Sequence, residues 1–274
     1  QAALTTASSN GHDDEVRIVQ GTYFSNFVYD SNEKNSLFLL GGYFAGCSNR
    51  DNNYPNTIID GSSSGTGLYL TALDQPSYFY IEGLTIQNAS TNMNSNGGGV
   101  YANNKGSITL SGNHIVNNKA ESWYDSSGGG VYLEGDIATM VNNRIEGNAA
   151  HYEGGGVYIK ARTANVNNNL IDENFALLSL AGGIYVNSDA TTIERNDIRG
   201  NKSMGSAGGI YIEGSAMVRH NSIQSNSAEF VGGGLYILGG RSEIINNIIS
   251  GNSSSNAPIG IYHGGGVHQD GGFG

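Results

Sequence analysis

The sequence predicts an all-β chain wound as a single-stranded right-handed parallel β-helix, with three short strands per coil and a short N-terminal capping helix. Three observations carry the prediction. A glycine phrase occurs seven times, as Gly97-Gly98-Gly99-Val100-Tyr101, Gly128-Gly129-Gly130-Val131-Tyr132, Gly154-Gly155-Gly156-Val157-Tyr158, Gly182-Gly183-Ile184-Tyr185, Gly208-Gly209-Ile210-Tyr211, Gly232-Gly233-Gly234-Leu235-Tyr236 and Gly264-Gly265-Gly266-Val267-His268. Counted from the residue after the last glycine, the copies lie 31, 26, 27, 26, 25 and 32 residues apart. A second phrase, Asn-x-Ile-x-x-Asn, alternates with the first, and its closing residues Asn118, Asn148, Asn174, Asn201, Asn226 and Asn252 lie 30, 26, 27, 25 and 26 apart. The third observation is a looser apolar stretch between the two phrases, Ile108-Thr109-Leu110 in one copy and Thr192-Ile193 in another. A period of this length marks a stacked repeat. Three stretches of period-2 alternation with Gly and Asn corners close one solenoid turn, and successive turns pair in parallel about 4.8 Å apart.

An array of coils is one continuous unit, so the whole chain, 1–274, reads as one β-helix domain. Residues 1–15 form its N-terminal cap, 16–96 its irregular leading coils and 97–274 its regular coils. Gln1 to Ala7 carries Ala and Leu4 without glycine and is stopped by Ser8-Ser9-Asn10-Gly11, which predicts a short helix covering the first coil. Val16 to Val19 alternates as a strand, with Gly21-Thr22-Tyr23 as its turn, and Ser36 to Leu40 is a second strand stopped by Gly41-Gly42. Residues 43–56 form a polar loop. Thr57 to Gly61 and Leu68 to Leu70 are short strands, and Tyr78 to Ile86 holds two more, split by Gly83. In the regular coils the extra residues of the longer periods fall at one corner, Lys119 to Ser127 and Ser253 to His263, and a corner with insertions is often a binding side. The start at Gln1 reads as a processed product. No cap is visible after the seventh glycine phrase, which suggests that the chain continues or that this end meets another molecule.

Composition narrows the function. The 42 glycines follow no three-residue period, so the chain is not collagen-like. The net charge of −11 gives no basic footprint for nucleic acid. No apolar run approaches the roughly 20 residues of a membrane-spanning helix. The balance fits a secreted, solvated protein. Cys47 is the single cysteine, so there is no internal disulfide, and the expected role is a buried small hydrophobe, with an intermolecular partner as the alternative.

The repeated positions divide by the beat of the strand. Val131, Leu133, Val157, Ile159, Ile184, Val186, Ile210 and Ile212 point inward, as do Ile115, Ile145, Ile171, Ile198, Ile223 and Ile249. The asparagines at each end of the second phrase should form two corner ladders, since Asn tolerates a left-handed turn and its amide donates and accepts between coils. Tyr101, Tyr132, Tyr158, Tyr185, Tyr211 and Tyr236 fall on the outward beat and stack in one line. They are the candidate binding residues, as a flat aromatic platform for a glycan or partner protein, with sheet-strengthening stacking as the plainer role. Two residues further on, Glu134 beside Lys160 predicts a surface ion pair.

Near the second phrase the outward beats carry Arg144, Glu146, Asp172, Asp197 and Arg199. Carboxylates on adjacent coils near an arginine are what a calcium-dependent lyase of acidic polysaccharide needs: the cation binds the uronate carboxylate and a base removes the C5 proton. Their alternating signs favour solvated salt links over such a site. Calcium enters only with this lyase alternative. No other cofactor or metal is expected, because the six histidines share no ligand spacing.

The pairing of a Gly-Gly-aliphatic phrase with an aliphatic-x-x-Asn phrase, over about residues 84–268, resembles the repeats of bacterial polymorphic outer-membrane proteins and, more broadly, right-handed β-helix proteins of bacterial surfaces. Where the chlamydial-type repeat has Phe before x-x-Asn, this chain has Ile115, Ile145, Ile171, Ile198, Ile223 and Ile249. The resemblance implies an extracellular adhesive or structural role and supplies no catalytic residue. The expectation is therefore a non-catalytic extracellular or cell-surface protein that self-associates, into a fibre or as an adhesin passenger, or that binds a glycan or cell-surface ligand. The alternatives are a calcium-dependent polysaccharide lyase and a carbohydrate-binding module.

Overall fold

The computed structural model describes residues 1–51, 56–91, 95–122, 126–255 and 267–270. Among the described residues, thirty strands and one helix, Ala2–Ala7, follow one another along the chain. The strands pair coil to coil in parallel and build three sheets of 14, 9 and 7 strands. The nine-stranded sheet takes one strand from each coil, from Gly21–Phe24 and Thr57–Asp60 through His114–Val116 and Asp197–Arg199 to Ile248–Ser250. This is the predicted parallel β-helix with three strands per coil and an N-terminal helix.

The strands are partitioned differently from the sequence reading. The glycine-phrase strand and the looser stretch share the large sheet, and in the middle coils they join into single strands, Val131–Val141, Val157–Asn167 and Ile184–Glu194. The second phrase forms the nine-stranded sheet. The third sheet consists of two-residue strands just after the closing asparagine, such as Ala149–Ala150 and Lys202–Ser203. Strands so short carry no alternation to read. In the leading coils, Gly21-Thr22-Tyr23 lies in a strand rather than a turn, and Leu37–Tyr43 runs through Gly41-Gly42. A Cβ at Gly41 would come within 2.2 Å of the Gly83 carbonyl, so glycine is there for close packing of neighbouring coils and not as a stop. The expected corner insertions lie only partly within the described residues.

The interior is set by register. Val131 pairs with Val157, Leu133 with Ile159 and Ile145 with Ile171, so like residues stack on like, and all six are fully buried. The helix places Leu4 and Ala7 over the first coil, both buried. Cys47 is half-buried, not a core residue. It sits in a tight turn at φ 54°, where the chain folds back after Tyr43.

Both asparagine ladders are present. From Asn113 to Asn221 and from Asn118 to Asn226, each asparagine donates its backbone N–H and its side-chain amide to the Oδ1 of the asparagine one coil on: Asn143 reaches Asn169 at 2.8 and 3.0 Å, and Asn148 reaches Asn174 at 3.0 and 3.0 Å. The same amide donates to a carbonyl of the preceding coil, Leu110 for Asn143 and Ile115 for Asn148. The left-handed turn falls elsewhere than expected. The residue before each ladder asparagine has positive φ, as in Asn142, Asn168, Glu173, Arg195, His220 and Ser225. The ladder asparagines are therefore selected by their amides and not by the turn.

Candidate functional site

The tyrosines form one continuous column. Ring centroids are 4.7 to 5.3 Å apart and the planes lie within 10° of parallel, from Tyr69 through Tyr101, Tyr132, Tyr158, Tyr185 and Tyr211 to Tyr236. Parallel in-register pairing holds identical side chains one above another, which fixes the stacking. Tyr69 belongs to the column although the glycine phrase before it is broken. Its signal is the alternation Leu68-Tyr69-Leu70, in register with Val100-Tyr101-Ala102.

The column is not an open platform. Tyr132, Tyr185, Tyr211 and Tyr236 are only 5–9% exposed, and Tyr101 and Tyr158 are half-buried. Each ring face is covered by the next ring. The flank is closed by Leu180, Ala181, Ala207 and Val231, which belong to the corner before the glycine phrase. The outward beat thus faces a second, smaller apolar cluster, and a face-on sugar stack on these six tyrosines is sterically occupied. Burial first, and the nearby carboxylates of Glu134 and Glu213 second, push the phenols of Tyr132 and Tyr185 well above the ordinary tyrosine range. Tyr132 donates its hydroxyl proton to Glu134 Oε2 at 2.9 Å.

Beside the column runs a polar row in the same register, Asn103, Glu134, Lys160, Asn187 and Glu213. The predicted ion pair is present, with Lys160 Nζ 2.8 Å from Glu134 Oε1. Asn187 donates its amide to Glu213 at 2.9 Å.

The lyase candidates share the outward face of the nine-stranded sheet. Glu146, Asp172 and Arg199 are in register on successive coils, and Arg144 and Asp197 occupy the position two residues earlier. They separate into two groups. Glu146 meets Arg144 at 2.5 Å and the ring of His114 at 2.9 Å. Arg199 bridges Asp172 at 3.0 Å and Asp197 at 3.1 Å. Burial pushes the Glu146 carboxyl up, but the hydrogen bonds from Arg144 and His114 outweigh it and hold the group below its usual value. The Asp172 hydrogen bond raises Arg199. Two carboxylates converge on one guanidinium here, an arrangement that neutralises charge. Among the described residues no three His, Cys, Asp or Glu side chains are grouped to hold a metal ion, and no helix is long and apolar enough to cross a membrane.

The sequence matches a family model described as right handed beta helix region, in two overlapping segments at residues 13–205 and 66–254. No curated protein and no solved structure matches. The matched segments span all the regular coils described up to residue 254, and with the in-register parallel sheets they establish what kind of chain this is: it belongs to the right-handed β-helix family.

Proposed function

We propose that the chain is a non-catalytic structural and adhesive β-helix of an extracellular or cell-surface protein. The observation that carries the reading is the commitment of the outward charges to one another. Asp172 and Asp197 share Arg199, while Glu146 is shared by Arg144 and His114. A general base needs a pKa near the working pH. Glu146, held low by its partners, is a weak base. Such a surface suits a rigid rod that displays the same face coil after coil. The likeness of the repeats to those of polymorphic outer-membrane proteins supports a bacterial surface as the setting, and the net charge of −11 supports a solvated exterior.

The test is retention of the purified chain on cells and glycan-coated surfaces, together with size-exclusion chromatography and negative-stain microscopy. Binding or self-assembly is expected. Monodisperse monomers retained by neither surface overturn the proposal. The lyase alternative draws on the same carboxylates and is separated by a single assay, calcium-dependent release of unsaturated sugar from pectate or alginate, read by absorbance. Turnover that is lost in Asp172→Ala and Arg199→Ala would establish it instead.

A further inference from the structure

A polar concavity of the regular coils lies beside the tyrosine column, on the side away from the apolar flank. The in–out alternation of the long strands lapses there. The strand ladder passes from Gly135–Ala161–Ser188 to Ile137–Thr163–Ala190, skipping Asp136, Arg162 and Asp189. A groove of about 710 Å³ opens over this lapse and runs across five coils, from Leu73 to Asp189, with Gly135, Ala161 and Ser188 among its lining residues. Asn103, Glu134, Lys160 and Asn187 line it too, one from each of four successive coils, and Asp136, Arg162 and Asp189 add a second row.

We infer that this groove is a binding site for an extended, uncharged oligosaccharide lying parallel to the helix axis. The inference rests on the adhesive reading and specifies its ligand. Charge decides the class. Lys105, Lys160 and Arg162 balance Glu134, Asp136 and Asp189, so the groove is neutral within a chain of net charge −11. The central charges are already paired, Lys160 to Glu134 at 2.8 Å and Arg162 to Asp136 at 2.7 and 3.1 Å. A polyuronate entering here meets an acidic protein and must compete with a carboxylate for each cation. A neutral sugar has no such conflict. Paired carboxylates keep lone pairs that accept from sugar hydroxyls, and the amides of Asn103 and Asn187 both donate and accept. Leu73, almost half exposed at the groove, offers a C–H face to a sugar ring. The polar groups recur at the coil spacing of about 4.8 Å, close to the length of one pyranose in an extended chain. A peptide strand gains less, because the long strands beneath are already hydrogen-bonded to coils on both sides and present no open edge.

Calorimetry with cellohexaose, mannohexaose, xylohexaose and hexagalacturonate tests this on the full chain. At least one neutral hexasaccharide binds, and hexagalacturonate does not. The double variant Asn103→Ala/Asn187→Ala, checked for an unchanged circular dichroism spectrum and melting temperature, weakens binding about tenfold through lost hydrogen bonds. Lys202→Ala, which lies on the third sheet and outside the groove lining, binds as the parent does. No binding of any neutral sugar, preference for the uronate, or full affinity in the double variant overturns the site. Surface adhesion that persists in the double variant sinks the groove alone. Loss of all adhesion in the parent chain sinks the adhesive reading with it.

Discussion

The leading coils and the regular coils solve the same problem, holding stacked corners together, by different chemistry. In the regular coils the corner positions are Asn143, Asn169 and Asn196 on one ladder and Asn148, Asn174 and Asn201 on the other, each serving the coil before it. In the leading coils the equivalent positions are Thr57 on the first ladder, then Leu84 and Ala89 on the two. Thr57 accepts from the Gly42 N–H at 2.8 Å, and the N–H groups of Leu84 and Ala89 are satisfied by the first ladder asparagines, Asn113 and Asn118. The leading interior is instead filled by large side chains, Tyr29 and Phe79 meeting edge to face at 5.6 Å. A ladder works only when the next coil supplies an identical partner. Where the coils differ from one another, stability has to come from individually fitted shapes.

The largest effect should follow from breaking a ladder in the middle. Asn169→Ala strips the acceptor from the Asn143 N–H and side-chain amide and the donor from the Met140 carbonyl. At about 1–3 kcal/mol per unsatisfied buried group the loss is about 3 kcal/mol or more. Asn113→Ala, at the ladder's first rung, leaves only the Leu84 N–H and the Ile81 carbonyl unpartnered and should cost clearly less. Urea unfolding of the two variants checks the order, and equal losses would deny the ladder its cooperative character.

Next in size is Gly155→Ala. The added Cβ would lie 2.3 Å from the Phe175 carbonyl oxygen and 2.6 Å from that of Gly182, and overpacking of this kind costs about 1–3 kcal/mol. Ala207→Gly should change stability little. Ala207 holds φ 60°, where a side chain costs roughly 1 kcal/mol, but its methyl is buried against the tyrosine column and is worth about 0.8 kcal/mol, so the melting temperature should move far less than in Gly155→Ala.

A smaller effect sharpens the contrast between the column and the salt links outside it. Tyr132 and Tyr185 have phenols raised by burial, so their contribution is complete below the unfolded phenol value of about 10 and is lost as pH rises beyond it. Spectrophotometric titration should show these phenols ionising only as the fold is lost. Glu146 is the opposite case. Its depressed carboxyl stabilises above the unfolded value of about 4.3, and that contribution is lost as pH falls through the folded value. Glu146→Gln should therefore lose less stability than the parent on acidification, and an identical acid profile would show the link to be idle.

Period, fold and core were legible because each is written once per coil. Glycine and asparagine recur at fixed spacing, and Val131, Ile145 and their counterparts alternate by simple rule. The polar row around Glu134 and Lys160 was legible in part, as an ion pair. Its groove was not, since the lapse in alternation at Asp136, Arg162 and Asp189 depends on how the glycine-phrase strand and the looser stretch join. The third sheet escaped notice because two residues are too few to show a pattern.

By itself the sequence determined the coil length, the inward residues and which residues stand in line, since those follow from repetition and the two-residue beat of a strand. Only the tertiary structure decided what covers the outward beat. Tyr132 and Tyr185 point away from the core, yet they are nearly buried, because each ring lies on the next coil's ring and the preceding corner folds Leu180 and Val231 against their flank. Outward on a strand describes a direction, whereas exposure depends on residues from neighbouring coils some 26 positions away in the chain.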